Sequence, residues 1–303
     1  MSSKKLLVSV VIPNFNGRDL LRKNLPLVMG NSPQAKVMVV DDASSDKSVE
    51  FVRENFPSVE VVVLDKNGRF ARACNEGLSR VKSDVVILLN NDVVPKKGYL
   101  EPLLKHFEDE KVFAVGCKEI DSKGRESGRS EGSFRRGFLV HWKAEDQSKN
   151  NTLWAAGGSM AVSKKLWDEL GGMDEMYKPA YWEDIDLSYR AFKRGYRVVF
   201  EPKSMVVHNH ETTNKRVFGL KTMQVATFKN QLLFVWKNIS DLKFIIRHLL
   251  WLPYHLVFTT LRSGGSFFIA FLWAVTQLPS AILGRVREAR HRVVGDSKIL
   301  LRT

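Results

Sequence analysis

The sequence predicts an α/β fold in which a mostly parallel central sheet is flanked by helices. Short runs rich in Val, Ile and Leu alternate with amphipathic segments from the start of the chain. Such continuous apolar runs are typical of strands that are buried on both faces of a parallel sheet. Polar residues follow three of the first four runs, which indicates a ligand-binding crevice at the carboxyl ends of the strands.

The first ninety residues contain four predicted strands and the helices between them. The apolar spacing after the first strand fits a helix, and a group of Ser and Asp residues at 44–46 offers caps for a second helix that ends at Phe56. The predicted strands are 8–12, 37–40, 59–64 and 85–89, and the other predicted helices are 19–29 and 70–81.

The order of elements is less regular after residue 99. Residues 121–151 are rich in Ser, Gly and charged side chains, so we expect long loops or a mobile flap with a short strand at 138–142. The other expected elements are a helix at 99–107, a strand at 112–117, an apolar segment at 154–162 broken by glycines, a helix at 164–170, a helix from 181 to 194, and short strands at 197–200 and 205–207.

The last part of the chain differs in kind, which predicts a catalytic domain at 1–213 and a basic, apolar helical region at 214–303. Residues 263–284 carry no charge and are just long enough, at about 1.5 Å per residue, to cross a bilayer core of about 30 Å. Basic residues on both flanks disfavour a single span. Interfacial helices or a re-entrant hairpin fit better, and a soluble subdomain that packs on the sheet or on a second subunit is the alternative.

The net charge of +14 predicts an anionic partner, which is a nucleic acid, an anionic membrane surface or a phosphorylated substrate. Cys74 and Cys117 lack the spacing of a metal or redox site. The apolar run at 6–12 is too short for a signal peptide and meets a proline at once. We therefore expect the catalytic part to lie in the cytoplasm.

Six segments, in this order along the chain, resemble the motifs of the family 2 glycosyltransferases. The resemblance covers roughly residues 6–210 and implies the GT-A fold and an inverting transferase that uses a nucleotide-diphosphate sugar and Mg²⁺ or Mn²⁺. A divalent cation suits this chemistry because it neutralises the charge that develops on the leaving diphosphate. The segments are 8–16, 39–46, 67–75, 88–93, 171–175 and 182–190.

The metal site is expected at Asn90, Asn91 and Asp92, where the family carries an Asp-any-Asp motif. Asn in the first position resembles rhamnosyltransferase-like members from the cell-surface glycan branch, and it leaves Asp92 as the main carboxylate ligand. His208 resembles the family's C-terminal metal-binding histidine, with His210 as a substitute, while Asn90 and Asn91 would contact the ribose or the sugar. Without the resemblance, a turn at the strand end and a surface histidine explain the same residues.

The resemblance assigns the nucleotide to the first two strand ends. Asp41 and Asp42 would accept hydrogen bonds from the base and ribose, unless one of them caps the following helix. Phe15 would lie against the base, and Pro13 and Asn16 would shape the loop. The other expected donor contacts are Asn67, Asn75, Gly158 and a phosphate contact from Arg72 or from Arg69, which stands where many members have Gly.

An inverting transfer needs a base that takes the proton of the acceptor hydroxyl. Asp184 matches the base of the family's acceptor-side motif, with Glu183 beside it. Asp186 would orient the base, pair with a basic residue on the same helix or bind the acceptor; helix capping explains all three acids equally. Trp182 and Tyr181 would offer a stacking surface for a sugar ring or lie in the core.

These observations predict a non-processive enzyme that adds one sugar to a lipid-linked or cell-surface glycan at the cytoplasmic face of the membrane, with a monomer and a homo-oligomer both left open. The Gln-any-any-Arg-Trp motif of processive synthases is missing, since residues 231–236 contain no Arg. A polyprenyl-phosphate glycosyl synthase is the alternative within the fold. A non-catalytic module that binds membranes or nucleic acid is the alternative outside it, but acids in the crevice would repel a polyanion, so no nucleic-acid partner is expected.

Overall fold

The computed structural model describes residues 6–208 and 219–300, and its first half follows the predicted alternation of strands and helices. The first four strands pair in parallel in the order β3–β2–β1–β4. The elements are β1 (Val8–Asn14), α1 (Arg18–Asn31), β2 (Ala35–Asp41), α2 (Ser48–Asn55), β3 (Glu60–Val63), α3 (Arg69–Arg80) and β4 (Val85–Leu89).

The elements that follow widen this sheet. They are β5 (Val93–Pro95), α4 (Leu100–Lys105), β6 (Val112–Ile120), β7 (Glu126–Ser127), β8 (Ser130–Arg135), β9 (Phe138–Lys143), β10 (Ser159–Ser163), α5 (Lys164–Leu170), α6 (Glu183–Lys193) and β11 (Arg197–His208). The sheet continues from β4 through β10, β6 and β11 to β5. It is mixed, because β10 runs antiparallel to both of its neighbours and β5 runs antiparallel to β11.

Two parts of the chain differ from the expected elements. Residues 121–151 are not a loose flap, because β8 and β9 form a hairpin whose side chains Phe134, Phe138 and Leu139 are buried in the core. The two short strands expected at 197–207 are one strand, β11, with an irregularity between Glu201 and Met205. A proline between these residues in sequence explains why the pattern of apolar residues is interrupted there.

The C-terminal helices are α7 (Leu220–Asn238), α8 (Leu242–Arg262), α9 (Ser266–Thr276), α10 (Leu278–Ala289) and α11 (Asp296–Leu300). Among the described residues, α8 is the one unbroken helix that is long and apolar enough to cross a membrane, and little of it is buried; α9 and α10 reach that length only as a bent pair. The expected apolar segment at 263–284 is divided between α9 and α10, which meet at a bend of 62°.

Helix α7 belongs to the same hydrophobic core as the sheet. The predicted domain boundary at 213 and 214 lies outside the described residues, but Leu232, Leu233 and Phe234 of α7 are fully buried among residues of the predicted catalytic domain. The ring of Phe234 lies 5.1 Å from the ring of Trp182. The first described helix after the boundary is therefore part of the same core as the sheet.

A buried carboxylate joins α7 to α6. Asp186 is fully buried and accepts hydrogen bonds from Tyr177 at 2.8 Å, Arg190 at 2.7 Å, Lys237 at 2.9 Å and Asn238 at 2.8 Å. Burial works against its charge, but Lys237 and Arg190 hold the pKa of Asp186 well below its usual range. The expected acceptor role of Asp186 is wrong, since no part of its side chain is open to a ligand.

We predict that Asp186→Asn lowers the free energy of unfolding by about 3 to 5 kcal/mol, because it leaves buried cations without their shared charge. Urea unfolding measures the free energy of both proteins. The control is Asp19→Asn, which removes an exposed ion pair and is expected to lower the free energy of unfolding by less than about 1 kcal/mol. A carboxylate with a lowered pKa stabilises above its unfolded pKa, so the difference from wild type narrows below about pH 4. A difference under about 1 kcal/mol at pH 7 contradicts this role.

Candidate active site

An open cleft of about 380 Å³ lies at the carboxyl ends of β1 and β4, between the loop after β2 and the start of α6. It is the crevice that the strand-end pattern predicts. The predicted site residues that line it are Pro13, Phe15, Asp42, Asn67, Asn90, Asn91, Gly158, Glu183, Asp184 and His208.

The two predicted nucleotide-binding acids differ in position. Asp42 lines the cleft and accepts hydrogen bonds from the backbone N–H groups of Gly68 at 2.7 Å and Arg69 at 2.8 Å, and burial raises its pKa. Asp41 is buried below the cleft, where it accepts hydrogen bonds from the Asn14 amide at 2.9 Å and the Ser44 backbone at 2.8 Å. Asp41 therefore supports the loop, and Asp42 alone of the two lines the cleft.

Some predicted donor contacts lie beside the cleft without lining it. The Asn75 side chain donates a hydrogen bond to the carbonyl of Met173 and accepts one from its N–H. The Asn16 side chain accepts a hydrogen bond from the backbone N–H of Ser45 at 2.8 Å. Arg72 pairs with Asp65 at 2.8 Å. Asn16 therefore shapes the loop as expected, whereas Asn75 and Arg72 do not line the cleft and their expected contact with the donor stays a prediction.

Arg69 is the arginine that lines the cleft. Its φ of 74° lies in the left-handed region that favours glycine. This backbone geometry explains why the resemblance expects Gly at a position where this chain has Arg.

The segment that follows β4, with Asn90, Asn91 and Asp92, lies beside the end of β11. His208 pairs with Val93 across the sheet, and this register brings its Nε2 to 3.4 Å from Oδ1 of Asp92. Its Nδ1 lies 3.2 Å from Oε1 of Glu119, which also accepts a hydrogen bond from Ser159 at 2.6 Å. Glu119 was not among the predicted site residues; its signal in the sequence is an acidic residue two positions after the end of an apolar run.

These neighbours fit a hard divalent cation. Burial opposes the charge of His208, but Asp92 and Glu119 raise its pKa to about 9, so the site attracts positive charge. Adjacent ligands of an octahedral Mg²⁺, each at about 2.1 Å, stand about 3 Å apart, and the 3.4 Å between His208 and Asp92 is close to that spacing. Over residues 6–208 and 219–300, no group of three ligating side chains is arranged for a metal. His210 lies outside the described residues.

The acidic pair at the start of α6 faces the same cleft. Asp184 accepts hydrogen bonds from the backbone N–H of Gly157 at 3.1 Å and of Ile185 at 2.8 Å. Burial and the charge of Asp184 raise the pKa of Glu183 to about 8, and burial also raises the pKa of Asp184 against these hydrogen bonds. At neutral pH Glu183 therefore holds a proton.

The loop before α6 is held from behind by α7. Tyr181 and Trp182 have left-handed backbones, with φ of 70° and 82°, which bulky residues rarely adopt. The amide of Asn230 donates to the carbonyl groups of Tyr177 at 2.7 Å, Ala180 at 3.1 Å and Tyr181 at 2.9 Å. This contact supports the strained backbone directly before the acidic pair.

Of the two predicted stacking residues, only Tyr181 is available to a ligand. Tyr181 is 43% exposed and lines the cleft. Trp182 is buried, with its ring 5.4 Å from that of His141 and 5.1 Å from that of Phe234. The expected acceptor role of Trp182 is therefore wrong, and its ring forms part of the core.

We predict that Glu183→Gln raises the unfolding temperature more at pH 8.5 than at pH 5. The unfolded Glu ionises above about pH 4.5 while the folded side chain keeps its proton to about pH 8, so wild type loses stability across this range and the variant does not. Thermal unfolding at both pH values measures the difference, with the exposed Glu101→Gln as control. An equal difference at both pH values contradicts the raised pKa.

Comparison with known proteins identifies the family. The family model described as "Glycosyl transferase family 2" matches residues 9–171. A "Pre-mycofactocin glycosyltransferase" of Mycobacterium tuberculosis is 30% identical over 209 residues, which cover 68% of this chain and 43% of the relative. "O-antigen biosynthesis protein RfbC" of Myxococcus xanthus is 23% identical over 226 residues, which cover 69% of this chain and 18% of that protein. The chain thus spans less than half the length of these relatives.

Solved structures show the same fold at low identity. GalNAc-T7, solved with UDP, GalNAc and Mn²⁺, has a TM-score of 0.63 at 19% identity over 80% of this chain and 49% of the other. Mannosyltransferase PcManGT from Pyrobaculum calidifontis, solved with GDP-Man and Mn²⁺, has a TM-score of 0.57 at 19% identity over 92% and 76%. The fold is the GT-A glycosyltransferase fold, and the chain belongs to glycosyl transferase family 2.

Proposed function

We propose that this protein is an inverting, metal-dependent glycosyltransferase that moves one sugar from a nucleotide-diphosphate sugar to a hydroxyl of a lipid-linked or cell-surface glycan. One observation carries the proposal: a single cleft is lined by His208, which forms a pair with Asp92 at 3.4 Å, and by the acidic pair Glu183 and Asp184. The first pair suits the leaving diphosphate, and the second suits the attacking hydroxyl.

The donor occupies the part of the cleft that is formed by the first strands. The ring of Phe15 offers a face for the base, and Asp42 and Asn67 offer oxygens to the base and ribose. Arg69 supplies a positive charge for a phosphate. The relation to proteins solved with UDP or GDP-Man supports a nucleotide-sugar donor.

Asp92 and His208 would hold the metal. A bound Mn²⁺ or Mg²⁺ neutralises the charge that the diphosphate gains when its bond to the sugar breaks. Such ions take one or two protein carboxylates and fill their other positions with phosphate oxygens and water, so a small protein ligand set is sufficient. The Mn²⁺ in the two related structures supports this assignment.

Asp184 acts as the base. The acceptor oxygen bonds to the anomeric carbon while its proton passes to Asp184, and the bond from that carbon to the diphosphate breaks with its electrons on the leaving oxygen. A single displacement of this kind inverts the anomeric centre. Glu183, protonated at neutral pH, donates a hydrogen bond to the acceptor and leaves the negative charge of the pair on Asp184.

Acids in the cleft argue against a nucleic-acid-binding role for the basic chain. Asp42, Glu119 and Asp184 all line the cleft, and carboxylates in this position repel a polyanion. We therefore assign the positive charge to a membrane and to the phosphorylated substrate.

We propose that the protein lies on the cytoplasmic face of the membrane through α8, α9 and α10. Their outer faces expose large apolar side chains among basic ones, a combination typical of helices in the membrane interface. The exposed apolar residues include Leu249, Leu250, Val257, Phe258, Leu261, Phe268, Ile269, Leu272 and Leu283. A homo-oligomer is the alternative use of the same surface, but the flanking arginines favour lipid over a second copy that carries the same charge.

To test this function, purified protein is incubated with a panel of nucleotide sugars, Mn²⁺ or Mg²⁺, and membrane extract as the source of acceptor. The release of nucleoside diphosphate is measured. We predict that Asp184→Asn lowers kcat by about 10² to 10⁴ because the base is lost. This variant keeps the rise in unfolding temperature that donor and metal produce, whereas Asp92→Ala loses both activity and that rise. Release that survives in both variants contradicts the assignment.

We also predict that Asn230→Asp lowers kcat about 10²-fold, because misplacement of a catalytic group by about 1 Å has an effect of this size. The carboxylate repels the carbonyl groups that the amide of Asn230 holds. The control is Asn31→Asp, whose amide also donates to a main-chain carbonyl, that of Pro95, outside the cleft.

Both asparagine variants are expected to lose stability, but Asn230→Asp alone is expected to change kcat strongly at an unchanged KM for the donor. It is also expected to speed backbone hydrogen exchange over residues 177–184. A kcat that falls only in proportion to the folded fraction, in both variants alike, contradicts a positioning role for Asn230.

A further inference from the structure

A second concavity, which we call the hairpin groove, lies between the turn of the β8–β9 hairpin and the C-terminal helices. Its volume is about 400 Å³. Phe138, Phe228 and Phe267 form an apolar floor, and Arg135 and Arg136 stand at its rim. Neither the donor nor the proposed base uses this groove.

The two arginines are held by aromatic rings. The guanidinium of Arg135 lies 4.9 Å from the centroid of Trp142, and that of Arg136 lies 5.8 Å from Trp251 and 6.0 Å from Tyr254. Stacking of this kind orients the planar group and leaves its N–H edge able to bind a phosphate. Both side chains are exposed, and the ion pairs among the described residues include neither of them.

The turn that carries the arginines is fixed against α8. The carbonyl of Arg136 lies 2.8 Å from Nε2 of His255, and the carbonyl of Gly137 lies 2.8 Å from Nδ1 of His248. A Cβ on Gly137 would come within 2.9 Å of the α8 backbone, so the contact needs glycine. The groove is therefore a formed feature of the folded chain.

The surroundings of the hairpin groove are apolar. Leu261, close in sequence to the groove residue Thr259, is 74% exposed, and Phe268 follows the groove residue Phe267 and is 46% exposed. A phosphate at the rim would thus lie beside a surface that suits hydrocarbon. The ligand with both properties is an amphiphile with a phosphate head.

Helix α7 connects the groove with the active site. Phe228 and Gln231 of this helix line the groove, and Asn230 between them donates hydrogen bonds to the carbonyl groups of Ala180 and Tyr181, which line the cleft. The groove and the cleft therefore adjoin the same turn of one helix.

We propose that the hairpin groove binds the phosphate of an isoprenoid-phosphate-linked acceptor, with Arg135 and Arg136 on the phosphate and the hydrocarbon chain along α8 and α9. The attached sugar then points toward Glu183 and Asp184. The proposal rests on the proposed function, because it names where that reaction's acceptor is held.

The first test measures binding of the full chain to phosphatidylcholine vesicles with and without polyprenyl phosphate. We expect polyprenyl phosphate to raise the affinity of wild type about tenfold and the double variant Arg135→Gln/Arg136→Gln to lose this increase. Arg290→Gln/Arg292→Gln is the control, because it removes the same charge from exposed arginines outside the groove. Unfolding temperatures verify that both double variants are folded.

Further arms distinguish the lipid from other anions. Vesicles with phosphatidylglycerol at equal charge, and free pyrophosphate, are expected to give less than a threefold increase. An increase with phosphatidylglycerol that equals the increase with polyprenyl phosphate overturns the proposal, and so does an equal loss in both double variants.

An activity arm separates the groove from the proposed function. With a polyprenyl-diphosphate-linked sugar, Arg135→Gln/Arg136→Gln is expected to raise the acceptor KM about tenfold at an unchanged donor KM, and a short acceptor without phosphate is expected to react equally with wild type and variant. Wild type that binds the lipid but transfers no sugar contradicts the function and supports the groove. Wild type that transfers sugar with no dependence on Arg135 and Arg136 contradicts the groove alone.

Discussion

The site depends on the buried carboxylate of Asp186. This side chain binds Arg190 of its own helix together with Lys237 and Asn238 of α7, which lie 51 and 52 residues further along the chain, and so fixes α6 against α7. Charges of this kind are costly to bury alone and stable only when each has its partner, which makes the arrangement specific. Because α6 carries Glu183 and Asp184 in its first turn, the same contacts determine where the proposed base faces the cleft.

Register in the sheet determines the opposite wall of the cleft. His208 meets Asp92 because β11 pairs with β5 at that residue, and Glu119 joins them because β6 lies beside β11. The two walls therefore have different origins: one depends on backbone hydrogen bonds between strands, and the other on side-chain hydrogen bonds between helices. Because these two walls border one cleft, the proposed metal ligand His208 and the proposed base Asp184 both line it.

The sequence predicted the parallel half of the sheet and the strand-end residues well, since apolar runs followed by polar residues are local signals. It did not reveal that β10 is antiparallel, because a strand buried on both faces has the same apolar pattern in either direction. Asp184 and Asp186 belong to the same sequence motif, which does not show which way each side chain points. Residues two apart on a helix lie about 200° apart around its axis, so Asp184 faces the cleft while Asp186 faces the core. Helix α7 was assigned to the membrane region on composition, although its buried Lys229 and Asn230 serve the loop before α6.

The central claim is that Asp184 activates an acceptor hydroxyl for direct attack on the anomeric carbon, opposite the diphosphate. The most direct measurement is the anomeric configuration of the transferred sugar, determined by nuclear magnetic resonance on the first product formed from a donor of known configuration. The account predicts inversion, with the coupling constant of the anomeric proton, or of its carbon, changed from that of the donor. A product that retains the configuration of the donor contradicts a single displacement with Asp184 as the base.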